Sequence, residues 1–230
     1  MKKFTALLLA FILVIGLTAC DSGTGAGNGT GSGNTSTGGI SKSSQEFIDA
    51  LNAENAEEKG VCGADLTWYY KDNVLVIKGT GPMDDYHGLT WDFYSIQTPW
   101  EDKKLNNKIH WILVDEGVTY IGSAAFRNFE MLSKVELPNT IETIGESAFS
   151  GCVALSSITI PSSVTKFGSH VFVGCRDLTS LTFEGDAPEI ENGYEYLFDG
   201  ATLEQLTVTY SGSGFETQIE AYPEINWVKK

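Results

Sequence analysis

Basic side chains are in short supply: 15 Lys and Arg stand against 30 Asp and Glu in 230 residues, a formal net charge of −15. A nucleic-acid binder needs a basic footprint to displace counterions from phosphates. No Lys/Arg cluster or basic face is present, so nucleic acid is excluded as a partner. Anionic lipid headgroups are disfavoured for the same reason. The acidic excess reads instead as a solvated surface that keeps an exported protein soluble. Histidine is nearly absent, and His87, His110 and His170 are scattered without ligand spacing; with no Cys-x-x-Cys either, no metal site is expected. Cysteine is sparse too. Apart from Cys20, the three that remain (Cys62, Cys152 and Cys175) are an odd number, which argues against a full disulfide framework. Also missing are a nucleophile elbow, a metalloprotease helix and a phosphate-cradling loop, since the one Gly-rich stretch lacks the strand and helix such a loop requires. Paired carboxylates could support glycoside hydrolysis, but among 30 acidic residues no pair stands out. These absences predict a protein that is not an enzyme and carries no cofactor.

What is present begins with an address. Lys2-Lys3 precedes an apolar run from Ala6 to Gly16 that is too short for a comfortable membrane span, and Leu17-Thr18-Ala19-Cys20 has the form of a bacterial lipobox. Residues 1–19 are therefore read as a lipoprotein signal peptide and Cys20 as the lipidated first residue of the mature chain. An ordinary secretory peptide ending at Cys, or an uncleaved anchor, is the alternative. Two or three acyl chains would hold the protein stably at the membrane surface, where one would not. Loss of Lys2 and Lys3 takes the net charge to about −17. Ser22 to Gly39 contains only Gly, Ser, Thr, Asn and one Ala, so residues 20–43 form a tether. Such a coil spans on the order of 20–25 Å and stretches to roughly 60 Å. The expected location is extracytoplasmic, lipid-anchored to the bacterial membrane or cell surface.

The body of the chain repeats every 23 residues. Ile112-x-Val114, Val135-x-Leu137, Ile158-x-Ile160 and Leu181-x-Phe183 start four coils, and Val118, Ile141 and Val164 follow in three of them. At the same interval come Ile121-Gly122, Ile144-Gly145 and Phe167-Gly168, then Phe126, Phe149 and Phe172, then Leu132, Leu155 and Leu178. A period in the twenties with a short alternating strand, a Gly turn and an apolar return segment describes a leucine-rich-repeat coil, which buries its apolar face only by stacking on its neighbours. The predicted fold is a repeat solenoid of about four 23-residue coils with a parallel sheet, over residues 109–204, capped at both ends by β-hairpin-containing modules. A two-lobed solute-binding protein conflicts with this period and with so short a chain. Cys152 and Cys175 share one slot of consecutive coils and are read as a ladder of buried thiols; a disulfide between them stays open.

The run Ile141-Glu142-Thr143-Ile144-Gly145-Glu146-Ser147-Ala148-Phe149-Ser150-Gly151-Cys152-Val153-Ala154-Leu155 resembles the BspA-type (treponemal) leucine-rich repeat of bacterial surface proteins. Gly60-Val61-Cys62-Gly63, Leu66-Thr67-Trp68, Leu75 to Met83 and Pro99-Trp100 resemble the leader module that often precedes these repeats. Phe183 to Pro188, Thr207 to Tyr210 and Trp227 resemble the closing module. The resemblance implies adhesion or service as an interaction module, and does not imply catalysis.

Four further expectations concern where a partner would sit. Ser43-Ser44-Gln45-Glu46 reads as a capping box, and Phe47, Ile48 and Leu51 share one helical face, so a short helix is expected over 44–59. Residues 60–108 form an N-terminal capping module in which Leu66-x-Trp68-x-Tyr70 and Leu75-x-Ile77 flank Asp72-Asn73 as a hairpin, and residues 205–230 close the far end. Within Met83 to Trp100, Tyr86, Trp91, Phe93 and Tyr94 form either a sugar platform or an irregular plug, with a calcium site at the nearby Asp residues a weaker option. On the strands, outward positions are Trp111, Leu113, Lys134, Glu136, Ser157, Thr159, Ser180, Thr182 and Thr207, with Thr159, Thr182 and Thr207 stacked as a hydroxyl column. Trp111 and Leu113 put apolar area where solvent should be, and are either covered by the leader module or a ligand anchor. The partner expected there is an extracellular protein or glycan bound by a monomer; the competing reading is a spacer of the cell envelope.

Overall fold

The computed structural model describes residues 40–86, 98–101, 103–191 and 196–230. The signal segment, Cys20, nearly all of the tether, and Trp91, Phe93 and Tyr94 lie outside the described residues. The described chain opens with α1 (Lys42–Ala50), then β1 (Glu58–Gly63), β2 (Leu66–Lys71) and β3 (Val74–Gly79) as an antiparallel meander. Asp72 and Asn73 both take positive φ, 51° and 66°, the two-residue turn whose twist suits a hairpin.

β3 then pairs in parallel with β5 (Trp111–Val114), and β4 (Gly81–Pro82) pairs in parallel with β6 (Val118–Ile121). The hairpin therefore does more than seal an edge: β3 and β4 are themselves a coil. β5 and β6 form the next, followed by β7 (Lys134–Glu136) with β8 (Thr143–Ile144), β9 (Ser157–Ile160) with β10 (Lys166–Phe167), and β11 (Ser180–Phe183) with β12 (Glu189–Ile190). About four coils become five because the first carries only Gly81-Pro82 as its return strand and none of the Ile-Gly-x-x-Ala-Phe lettering. The second strands stack into a second parallel sheet, in the order β12-β10-β8-β6-β4, on the return side of the coils. β13 (Thr207–Tyr210), α2 (Glu216–Ala221) and β14 (Asn226–Lys229) close the far end, with β14 parallel to β13.

The last interval departs from 23. Leu181 pairs with Val208 and Phe183 with Tyr210, an interval of 27 residues, not the 25 that stacking Thr207 on Thr182 requires. The insertion is shared out along the coil: Phe198 already stacks on Phe172, while the hydrogen bonds from Ser211 and Ser213 reach back 27 positions to Glu184 and Asp186.

One aromatic column runs the length of the core. Trp100 lies on Phe126 at 5.3 Å between ring centroids, and Phe126 on Phe149, Phe149 on Phe172 and Phe172 on Phe198 follow at 5.6, 6.1 and 6.1 Å, all stacked. Tyr222 closes the far end edge-on to Phe198, and its hydroxyl oxygen accepts the Leu197 N–H at 3.1 Å. At the near end, the Trp100 indole N–H donates to the Ala125 carbonyl, which satisfies its polar atom in a buried site. Beside this column Cys152 and Cys175 are free, buried thiols whose Sγ atoms lie 3.2 Å from the carbonyls of Phe126 and Phe149, one coil back. The three free cysteines are thus core residues.

Gly145 and Gly168 explain how close the coils come. A Cβ on Gly168 would lie 2.3 Å from the Glu146 backbone nitrogen, and one on Gly145 2.6 Å from that of Ser123. At these two positions only glycine lets the backbone settle this closely on the coil before it.

α1 begins and ends earlier than the 44–59 helix expected. Ser41, not Ser43, is the N-cap, accepting the Ser44 N–H at 3.2 Å, while Ser44 itself is buried. After Leu51 the side chains of Asn52 and Asn55 take over backbone N–H groups in a local turn, and Glu58 already belongs to β1. A nine-residue helix is too short to persist alone in water and depends on what it packs against. Phe47, Ile48 and Leu51 pack on the outer face of β3 and β5, forming a second apolar cluster with Val74, Val76, Trp111 and Leu113. Trp111 and Leu113 are therefore buried and unavailable to a partner, because α1 covers the apolar area that their outward positions expose.

Candidate binding face

The front strands form two sheets side by side on one outer face, β1-β2-β3-β5-β7 and β9-β11-β13-β14, and α1 covers part of the first. The helix runs across β7, β5 and β3: the Ser41 N–H donates to Glu136 Oε2 on β7 (3.1 Å), the Gln45 amide to Asp115 just after β5 (3.1 Å), and Lys78 on β3 donates to the carbonyls of Ile48 (2.7 Å) and Leu51 (3.1 Å). A cation at the C-terminal carbonyls complements the helix dipole. Lys134 and Glu136 mark the boundary. Their side chains pair at 2.7 Å, and the Lys134 ammonium sits 4.2 Å above the Trp111 ring, so both are engaged in the edge of the covered half.

Beyond that boundary the face is open and hydroxylic. Ser157, Ser180 and Thr207 stand in register on β9, β11 and β13, continued by Asn226 on β14. Thr159, Thr182 and Thr209 form the second column, continued by Val228. The hydroxyl column expected from the sequence is corrected here: Thr207 lies beside Ser180, and Thr209 takes the place beside Thr182, because the last interval is 27 residues and not 25. Between these columns Ile158, Leu181 and Val208 point into the core. Serine and threonine suit both a strand and water, and two parallel rows at strand spacing of about 4.8 Å offer regularly placed donors and acceptors.

The aromatic stretch is only partly described. Tyr86 packs edge-on against Trp100 at 5.7 Å and donates to the Cys62 carbonyl at 3.3 Å, so its ring belongs to the solenoid plug. Burial pushes its hydroxyl well above the ordinary tyrosine range, with Cys62, Asp84 and Asp85 adding to the effect. Asp85 accepts from Tyr120 at 2.6 Å and from the Ser123 N–H at 2.7 Å. Of the acidic segment after β11, Asp186 accepts from both the backbone and the hydroxyl of Ser213, and these bonds hold its carboxyl below the ordinary range. Among the described residues no three His, Cys, Asp or Glu side chains are arranged to hold a metal ion.

The fold and its face define a repeat solenoid with stacked parallel strands and an exposed, largely uncharged sheet surface. The sequence profile described as BspA type leucine rich repeat region matches residues 104–219 in six copies, and the chain belongs to this family. A leucine-rich repeat protein of Eubacterium ventriosum superposes with a TM-score of 0.51 at 25% identity, over 68% of this chain and 40% of that one. A leucine rich cell surface protein of Faecalibacterium prausnitzii gives 0.46 at 19% identity, over 70% and 41%. The T. pallidum leucine rich repeat protein gives 0.39 at 19% identity, over 67% and 82%. The present chain thus spans about 40% of the length of the first two. No curated protein sequence matches. Proteins of this family are generally surface-associated and typically non-catalytic, and the family suggests a binding or adhesion role. No helix among the described residues is long and apolar enough to cross a membrane.

Proposed function

We propose that this protein is a lipid-anchored, extracytoplasmic binding protein, without catalytic activity, that takes a protein or glycan partner on the open half of its front sheet. The observation that carries the reading is the pair of in-register hydroxyl columns on β9, β11 and β13, left uncovered beside a half of the same face that α1 occupies. An uncharged or mildly cationic ligand fits best, because the chain is strongly acidic while this surface is hydroxylic. The membrane attachment rests on Leu17-Thr18-Ala19-Cys20 and the Gly/Ser/Thr tether that follows. Screening the whole protein against arrays of glycans and extracellular-matrix proteins tests the reading. A binder retains a small, reproducible subset, whereas a spacer of the envelope retains nothing selectively.

A further inference from the structure

α1 is attached to the solenoid without being part of its core. Phe47, Ile48 and Leu51 belong to a cluster with Val74, Val76, Trp111 and Leu113 that shares no residue with the continuous core inside the coils. Departure of the helix therefore leaves the interior ring stacks in place. A helix of nine residues does not persist alone in water, so α1 is helical only while it is docked.

The docking is also directional. Ile40 packs against the same cluster and the Ser41 N–H reaches Glu136 on β7, so the tether joins α1 at its β7 end. Further along, Gln45 reaches Asp115, and at the far end Lys78 on β3 holds the carbonyls of Ile48 and Leu51. A pull arriving through the tether meets these attachments one after another, β7 first and β3 last. A coil resists differently, because its parts are loaded together: β11 is paired along its length with β9 and β13, and Phe172 is stacked between Phe149 and Phe198. Segments held by few contacts open locally at far lower cost than the body of a fold.

We propose that α1 is a strap that yields to tension before the solenoid does. The inference rests on the membrane attachment proposed above: with a lipid on Cys20 and a partner on the open half of the front face, any separating force passes through Ile40 and α1. Peeling melts the helix and frees residues 40–51, which at roughly 3.3–3.6 Å per residue is on the order of 40 Å of chain. β9, β11 and β13 meanwhile keep the register that aligns the hydroxyl columns, so the grip on the partner survives the load. Loss of one 23-residue coil would free about twice that length and break the columns. When the load falls, α1 docks again on the same apolar strip.

Single-molecule force spectroscopy tests this on the unlipidated mature chain carrying Thr182→Cys, with DNA handles on Cys20 and on the thiol placed in the front face. Cys62, Cys152 and Cys175 are buried and take no handle. The load then follows the path from anchor to partner with neither lipid nor partner present, so the outcome is separate from whether Cys20 is lipidated and from what the face binds. The expected trace shows an early step on the order of 40 Å that reverses on relaxation, followed at higher force by coil-sized steps. Ile48→Ala shortens the lifetime of the docked state at fixed load at least about tenfold and leaves the coil steps at their wild-type force. A wild-type trace whose first step is coil-sized overturns the proposal, and so does a short step that Ile48→Ala leaves unchanged.

Discussion

Phe149 shows what a single residue does in a stacked fold. Its ring touches Phe126 on one side and Phe172 on the other, in a column that Trp100 and Tyr222 terminate. Phe149→Ala removes a ring from the middle of that column and should cost roughly 3–5 kcal/mol, read from chemical denaturation; an unchanged transition midpoint would contradict the stacking. The thiols give a second residue-scale expectation. Burial pushes Cys62 and Cys175 from 9.0 to about 12 and Cys152 well above the ordinary value. The native protein should leave these three unreactive toward thiol reagents until it unfolds. Below 9.0 folded and unfolded thiols are both protonated; above it the unfolded chain releases protons that the folded chain keeps, so stability should fall as pH rises toward about 12. Equal stability at both ends of that range would mean that the thiols are not buried. At this scale the sequence was highly legible: Phe126, Phe149, Phe172 and the Ile-Gly pairs recur at one interval because each fills an identical slot. Phe198 was not legible because the insertion after β11 displaces it from that interval.

Among the elements, α1 decides which part of the front sheet a partner can reach. Ile48 is fully buried between the helix and β3 and β5. Ile48→Ala should weaken helix docking by roughly 2–5 kcal/mol and open residues 40–57 to proteolysis, while the solenoid keeps its strand spectrum. If the segment stays protected, something other than this cluster holds it. The helix was visible in the spacing of Phe47, Ile48 and Leu51, and Trp111 and Leu113 signalled exposed apolar area needing a cover. That the first covers the second was not legible, because the two segments lie about 60 residues apart in sequence and periodicity reports only local faces. The hairpin was readable from its alternation and its Asp72-Asn73 turn. Its second strand doubles as the front of a coil, which follows from parallel pairing with β5 and leaves no local signature.

For the whole molecule, the acidic charge, the tether and the solenoid act together. Cys20→Ser should release the protein from membranes or stall its processing, measured by fractionation and by the mass of the N-terminal fragment. A variant that still fractionates with membrane in the same processed form would require a different anchor. Whether a partner sits on the open half of the front face is read from one comparison: binding of the partner retained on the array by wild type, by the Thr159→Lys and Thr182→Lys double variant, and by Trp91→Ala. The two lysines place cations in the middle of the hydroxyl columns and should change stability by no more than about 0.5 kcal/mol per site. The double variant should lose the partner and Trp91→Ala should keep it. Loss in Trp91→Ala with normal binding by the double variant would place the site in the aromatic segment and contradict the assignment to the sheet.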